Sequence, residues 1–205
     1  KIIIQAIGSD DVLIDLLVLK GGNALDIVHK LNSRASVDID FSLAGDLENP
    51  DEIGKRLLAA LTDRFDSAGY VVFDWKFGPR PRRGTEHPKW GGYEAEFKLI
   101  SKAQSEQVGG AIDELRKLSL PIGDPTSTRK FSIQISKFEW IHGATTESLD
   151  GYEFRVYTLP MIAVEKVRAI CQQMEGYEPV KTPRPRPRDF FDIFAIIQRH
   201  PIDFT

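Results

Sequence analysis

An α+β fold, with a mixed β-sheet, flanking helices and a helical C-terminal part, is what this sequence predicts. Three observations lead there. Apolar runs of strand length alternate with helical periods through the first two thirds of the chain. The stretch Ser36–Leu43 alternates strictly, with Val37, Ile39, Phe41 and Leu43 on one face and Ser36, Asp38, Asp40 and Ser42 on the other. From Pro160 onward the pattern is helical apart from a proline-rich loop. At 205 residues the chain suits one compact unit with a sizeable core. The expected division is a core at 1–159 and C-terminal helices at 160–205 that complete the same unit.

The elements follow in order. Leu13–Lys20 is a strand candidate, broken by Gly21-Gly22. Asn23–Leu31 has helical spacing through Leu25, Val28 and Leu31. Asp51–Ala68 reads as an amphipathic helix through Ile53, Leu57, Leu58, Leu61 and Phe65. Tyr70–Phe77 and Tyr93–Ile100 read as strands, joined by a loop that carries Arg80, Arg82 and Arg83. Gln104–Leu118 has a helical pattern interrupted by Gly109-Gly110. Lys130–Phe138 and Phe154–Leu159 are further strands. Pro160 suits the first turn of a helix running to about Glu175. The stretch Pro179–Arg188, "PVKTPRPRPR", reads as an extended loop, and a last helix spans about Asp189 to Arg199.

Composition narrows the function. A net charge of −3 argues against coating nucleic acid by bulk charge, while leaving room for a local basic site. The single cysteine, Cys171, excludes an internal disulfide and a cysteine metal cluster; it reads as a small buried apolar residue in a reducing cytoplasm. No apolar stretch is long enough to span a bilayer. The first residue is Lys1 rather than Met, so the chain is read as trimmed. His29, His87, His142 and His200 show no metal-ligand spacing.

Residues two apart on a strand share a face, so Asp38 and Asp40 project together, about 7 Å apart at their bases. Adjacent carboxylates repel unless a cation lies between them. Mg²⁺ suits such a pair, with Mn²⁺ as a substitute, because it takes carboxylate oxygen and keeps waters that substrate phosphates replace. Gly21-Gly22 stands at a strand-to-helix junction, where the missing side chains let a phosphate approach the backbone. One element can hold a triphosphate while the other holds its metal. The same residues also suit a routine turn followed by a strand whose acids face water. Lys166, with Ile162 and Ile170 four residues to either side, lies on or beside a packed helix face. There its ammonium either snorkels to water or meets a phosphate. Asp189 shares a face with Ile193 and Ile196 and either stabilises its helix dipole or accepts a proton.

"KGGNAL" followed by "RASVDIDFSL" resembles the nucleotidyltransferase signature of the AbiEii toxin family, a branch of the DNA-polymerase-β-like superfamily. "LPMIAVEKVRAI" and "RPRDFFDIFAI" are similar to that family's downstream lysine and Arg-Asp-x-x-Asp motifs. The resemblance runs in order from Lys20 to Ile197. It implies a nucleotidyltransferase core with catalytic Asp38, Asp40, Lys166 and Asp189, and with Asp192 as the second acid of the last motif. It implies nucleotide contacts from Lys20, Gly21, Gly22, Asn23, Ser36 and Arg188, with Arg34 at a further matching position, and Mg²⁺ on Asp38 and Asp40. It also implies transfer of a nucleotide monophosphate from an NTP to an RNA acceptor such as the tRNA 3′ end. The setting would be a bacterial toxin–antitoxin or phage-defence (abortive infection) system with a cognate antitoxin. One departure stands out: the strand expected to bring a third carboxylate carries Gln134, with Glu139 and Glu96 as substitutes in principle. A non-catalytic NTP- or partner-binding module and a small-molecule nucleotidyltransferase are the alternatives.

Overall fold

The computed structural model describes residues 1–31, 38–82, 89–123, 128–177 and 184–201. Two short helices open the chain, α1 (Ile2–Ile7) and α2 (Asp11–Leu16). Next come β1 (Val18–Lys20), a helical turn α3 (Gly21–Asn23) that continues as a π-helical Ala24–Val28, and β2 (Ile39–Ser42). The long helix α4 (Pro50–Ser67) precedes the hairpin of β3 (Tyr70–Arg80) and β4 (Gly92–Ser101). Helices α5 (Lys102–Gln107) and α6 (Ile112–Leu118) lead to β5 (Phe131–Ser136) and the hairpin β6 (Thr145–Leu149) and β7 (Tyr152–Val156). The helices α7 (Leu159–Cys171) and α8 (Pro187–Arg199) pack against each other at the end.

The seven strands form one mixed sheet in the order β3-β4-β5-β2-β1-β7-β6. β2 lies near the middle, antiparallel to β1 and parallel to β5. One face is apolar. Phe41, Ile133, Ile135, Ala95 and Phe97 are buried there with Leu57, Leu61 and Phe65 of α4, and α1 packs alongside. Each such large side chain contributes about 1.5–3 kcal/mol through burial. α4 starts cleanly because the Asn49 side chain accepts the Glu52 N–H at 3.2 Å and Pro50 occupies the first turn. The other sheet face is polar. Register places Lys20 opposite Asp40, Asp40 beside Gln134, and Gln134 opposite Glu94, so these four side chains form a row on one face.

Most expected elements are present, and the differences have local causes. Leu13–Lys20 is not one strand. Asp10 accepts the Leu13 N–H at 3.1 Å and caps α2, so the apolar run coils before only Val18–Lys20 extends. The Gln104–Leu118 helix divides because Gly109 and Gly110 adopt φ of 59° and 79°. β2 begins at Ile39, with Asp38 in a bend before it; Arg34, Ser36 and Val37 lie outside the described residues. Arg80 belongs to a strand rather than a loop, while Arg83 and His87 are not among the described residues. Cys171 is exposed, not buried, because it ends α7 where the helix leaves the sheet.

Candidate active site

β1 is anchored by Val18 and Leu19, both fully buried, and it delivers Lys20 and Gly21 to the polar face. Gly21 has φ of 70°. A β-carbon there would stand 2.8 Å from Asp40 Oδ2, so the carboxylate occupies the space a side chain would need. The turn therefore requires glycine both for its backbone and for its neighbour. Asn23 secures the same junction from the other side, donating its amide to the Asp38 carbonyl at 2.6 Å.

Lys20 is buried. Its ammonium pairs with Glu165 Oε1 of α7 at 2.8 Å and donates to Ser136 Oγ at 3.0 Å. Burial works against its charge, but the Glu165 and Glu139 carboxylates outweigh that, and its pKa is raised. Asp40 is half-buried, and its pKa is pushed up to about 6. Desolvation is the main cause; the charges of Glu165 and Asp38 add to it, while Lys20 and Lys166 oppose it. Asp38 is exposed.

α7 and α8 supply the opposite wall. Lys166, only 7% exposed, contacts Asp192 Oδ2 at 2.7 Å and Asp189 Oδ1 at 3.1 Å. Burial opposes its charge, Asp192 and then Asp189 more than compensate, and its pKa is raised. Arg186 donates to the second oxygen of Asp189 at 3.1 Å. The periodicity of α8 explains this wall, since Asp189, Asp192 and Ile196 form its buried stripe.

These elements enclose a cleft of about 580 Å³. Lys20, Gly21, Gly22, Asp40, Lys166, Arg188 and Asp189 all line it, although they come from four separated segments. Asp38 and Asn23 flank it at the start of β2 without lining it. Ser36 lies outside the described residues. Some lining groups escape a reading of the sequence, Glu165 among them. Glu165 gave no signal beyond its neighbour Lys166, because its partner Lys20 is 145 positions away. Arg186 belongs to the segment of Arg184, Arg186 and Arg188, which the sequence suits equally to a nucleic-acid backbone or to a solvated loop; the structure sets it on Asp189.

Gln134 stands directly beside Asp40, where a third carboxylate was expected. Glu139 is engaged by Arg168 at 2.9 Å, and Glu96 lies on β4 with Arg82 and Lys130. Among the described residues no group of three or more His, Cys, Asp or Glu side chains could hold a metal ion. The donors nevertheless fit Mg²⁺ of the kind that keeps several waters and binds through one or two carboxylates plus substrate phosphate. Asp40 carries a charge that burial and Asp38 both penalise, and a cation would relieve that penalty.

No helix among the described residues is long and apolar enough to cross a membrane. A search of curated proteins finds no match. Among solved structures, JHP933 from Helicobacter pylori superposes with a TM-score of 0.48 at 16% identity, over 98% of this chain and 63% of that one. An antigenic nucleotidyltransferase-like protein from Paracoccidioides brasiliensis gives 0.49 at 14% identity, over 96% of this chain and 74% of that one. The chain thus spans less than two thirds of the length of JHP933. Residues 3–205 match the family described as nucleotidyl transferase AbiEii toxin, type IV TA system. With that match over nearly its full length, the chain belongs to the AbiEii nucleotidyltransferase toxin family.

Proposed function

We propose that the protein is a Mg²⁺-dependent nucleotidyltransferase that moves a nucleotide monophosphate from an NTP to an acceptor hydroxyl on RNA, such as the tRNA 3′ end. The observation that carries this reading is the placement of Asp40. Its carboxylate rests against the side-chain-free Gly21, between the charges of Lys20 and Lys166, in an open cleft.

In this reading the triphosphate lies over Gly21-Gly22, where backbone N–H groups are accessible. Asp38 and Asp40 would hold the cation, which would supply positive charge to offset the charge that develops on the phosphates. Lys166 and Arg188 contact the phosphates, and Lys20 positions Asp40 from the adjacent strand. Lys20 and Asn23 keep the turn and β2 in register. Asp189 was expected to position or deprotonate the acceptor hydroxyl. Both of its oxygens are engaged, by Lys166 and Arg186, which supports a role in holding Lys166 in place rather than in meeting the hydroxyl. Asp192 shares that work on Lys166. The acceptor hydroxyl attacks the α-phosphorus, the α–β anhydride bond breaks, and pyrophosphate leaves.

Membership of a type IV toxin–antitoxin family supports a cognate antitoxin as partner, and with it a cytoplasmic toxin acting in phage defence. Incubation of labelled NTPs with Mg²⁺ and total tRNA tests the activity. Labelled RNA is expected with the wild type and none with Asp40→Asn, and equal labelling by both ends the assignment. Gln134 beside Asp40 favours one second reading, a module that binds NTP without turnover. Metal-dependent binding with no transfer to any RNA or hydroxylated small molecule would select it. Labelling of a small molecule with RNA untouched would instead redirect the acceptor.

A further inference from the structure

Two aromatic side chains line the polar cleft and remain exposed to solvent: Trp90 at 39% and Phe138 at 40%. Trp90 precedes β4 and Phe138 follows β5, at neighbouring ends of two paired strands. β4 and β5 pair Gly92 with Ser136, and the Lys137 N–H donates to the Gly91 carbonyl at 3.1 Å, so the pairing runs to the residues next to Trp90 and Phe138. Both therefore stand just past the ends of their strands, and both line the cleft that holds Asp40, Gln134 and Ser136. The Lys137 ammonium lies 5.3 Å from the centroid of the Phe138 ring, and both aromatics keep exposed surface inside the cleft, where a flat ligand could cover it.

The backbone around them is built tightly. Phe138 has φ of 57°, a conformation that a bulky residue adopts only when its surroundings impose it, and its N–H donates to the Gly45 carbonyl at 3.1 Å. On the facing strand a β-carbon on Gly92 would stand 1.8 Å from the Ile135 carbonyl oxygen, and one on Gly91 2.7 Å from that of Arg80. The two glycines let the strands close enough to present Trp90. Cations surround the pair: Arg80, Lys89 and Lys137 line the same cleft.

We infer that Trp90 and Phe138 form a stacking platform for a nucleobase in the cleft. Phe138 lies four residues along the chain from Gln134, and Gln134 adjoins Asp40 in the same cleft. One cleft thus offers aromatic faces for a base and a carboxylate for the metal of its phosphates. Stacking is tolerant of base identity, since every base has a π-face, and the flanking cations suit the attached phosphates. The platform rests on the nucleotidyltransferase reading of the same cleft. The base belongs either to the incoming NTP or to the terminal nucleotide of the acceptor RNA, and the chemistry on the protein side is the same.

The test compares wild type with Trp90→Ala, Phe138→Ala and the conservative Trp90→Phe. One arm measures direct binding of ATP and of ribose 5-triphosphate with Mg²⁺. The other measures binding of tRNA and of tRNA with an abasic 3′-terminal nucleotide. The alanine variants should lose about tenfold in affinity for one base-bearing ligand, while affinity for its base-free counterpart stays as in wild type. Trp90→Phe should restore most of that loss. An ATP effect assigns the platform to the substrate; a tRNA effect assigns it to the acceptor. Equal loss for base-bearing and base-free ligands marks a mere change of shape and overturns the inference, as does no loss for any ligand. Wild-type protein that binds with base dependence but transfers nothing ends the catalytic reading and leaves the platform standing. Unchanged transfer and affinity in the alanine variants does the reverse.

Discussion

Gly21 and Asp40 occupy one volume: a β-carbon on the glycine would lie 2.8 Å from the carboxylate Oδ2. The strand-to-helix turn and the acidic strand are thus a single fitted part. Gly21→Ala must strain a backbone at φ of 70° and also push Asp40 aside. It should lower stability by about 1–2 kcal/mol and reduce nucleotidyl transfer by more than tenfold, read from a thermal melt and a labelling assay on the same preparation. Wild-type activity in Gly21→Ala would remove the fitted-part explanation.

Asp40 makes the metal-free protein sensitive to pH. In the unfolded chain its carboxyl ionises near 3.8, in the native fold near 6, so the native state holds more protons across that window. Stability therefore falls as pH rises through it, and the loss is complete above about pH 6. The magnitude is on the order of 2 kcal/mol for this half-buried group. Asp40→Asn should be more stable than wild type at pH 8 in EDTA, and the gap should close toward pH 4. Added Mg²⁺ should raise the wild-type melting temperature at pH 8 and leave Asp40→Asn unmoved.

Lys166 joins two buried acids. Lys166→Ala leaves Asp189 and Asp192, 9% and 2% exposed, without their shared cation and should cost about 3 kcal/mol. In double-mutant cycles the Lys166–Asp192 coupling should exceed the Lys166–Asp189 coupling, because its contact is shorter, 2.7 against 3.1 Å, and drier. Denaturant titrations of the singles and doubles supply the comparison, and a reversed order would show that distance and burial do not set these energies.

Far from the cleft on β3, Asp74 works in the opposite sense. Hydrogen bonds from Arg116, then one from Lys98, hold its carboxyl down to about 2 against the opposing effect of burial. Its pairing stabilises the fold above about pH 4, and that contribution is lost as pH falls toward 2. Since Arg116 is half-exposed, the effect should be only about 1 kcal/mol. Asp74→Asn should be less stable than wild type at pH 7, with the difference vanishing near pH 2.

Much of this architecture is legible in the chain, because its strongest signals are periodic. The alternation around Asp40 and the helical spacing of α4, α7 and α8 each reveal an element without its neighbours. Where reading failed, two forces competed locally. The apolar residues from Leu13 to Val18 suit strand or helix, and only the Asp10 cap decides. β6, with the sequence Thr-Thr-Glu-Ser-Leu, is largely exposed at the sheet edge and carries almost no apolar pattern; its pairing with β7 makes it a strand. The cleft divides in the same way. The glycines and the paired aspartates announce themselves within 20 residues. Glu165, Trp90 and Phe138 acquire meaning only through partners that the sheet brings near.

The central position of β2 has one more outcome. Ile39 and Phe41 point into the hydrocarbon interior while Asp40 points out, and strands hold β2 on both sides. Sliding β2 by a single residue would drop the acid into oil and lift a phenyl ring into the cleft. The register of β2 against both neighbours thus decides at once whether the core is filled and whether Asp40 reaches the cleft.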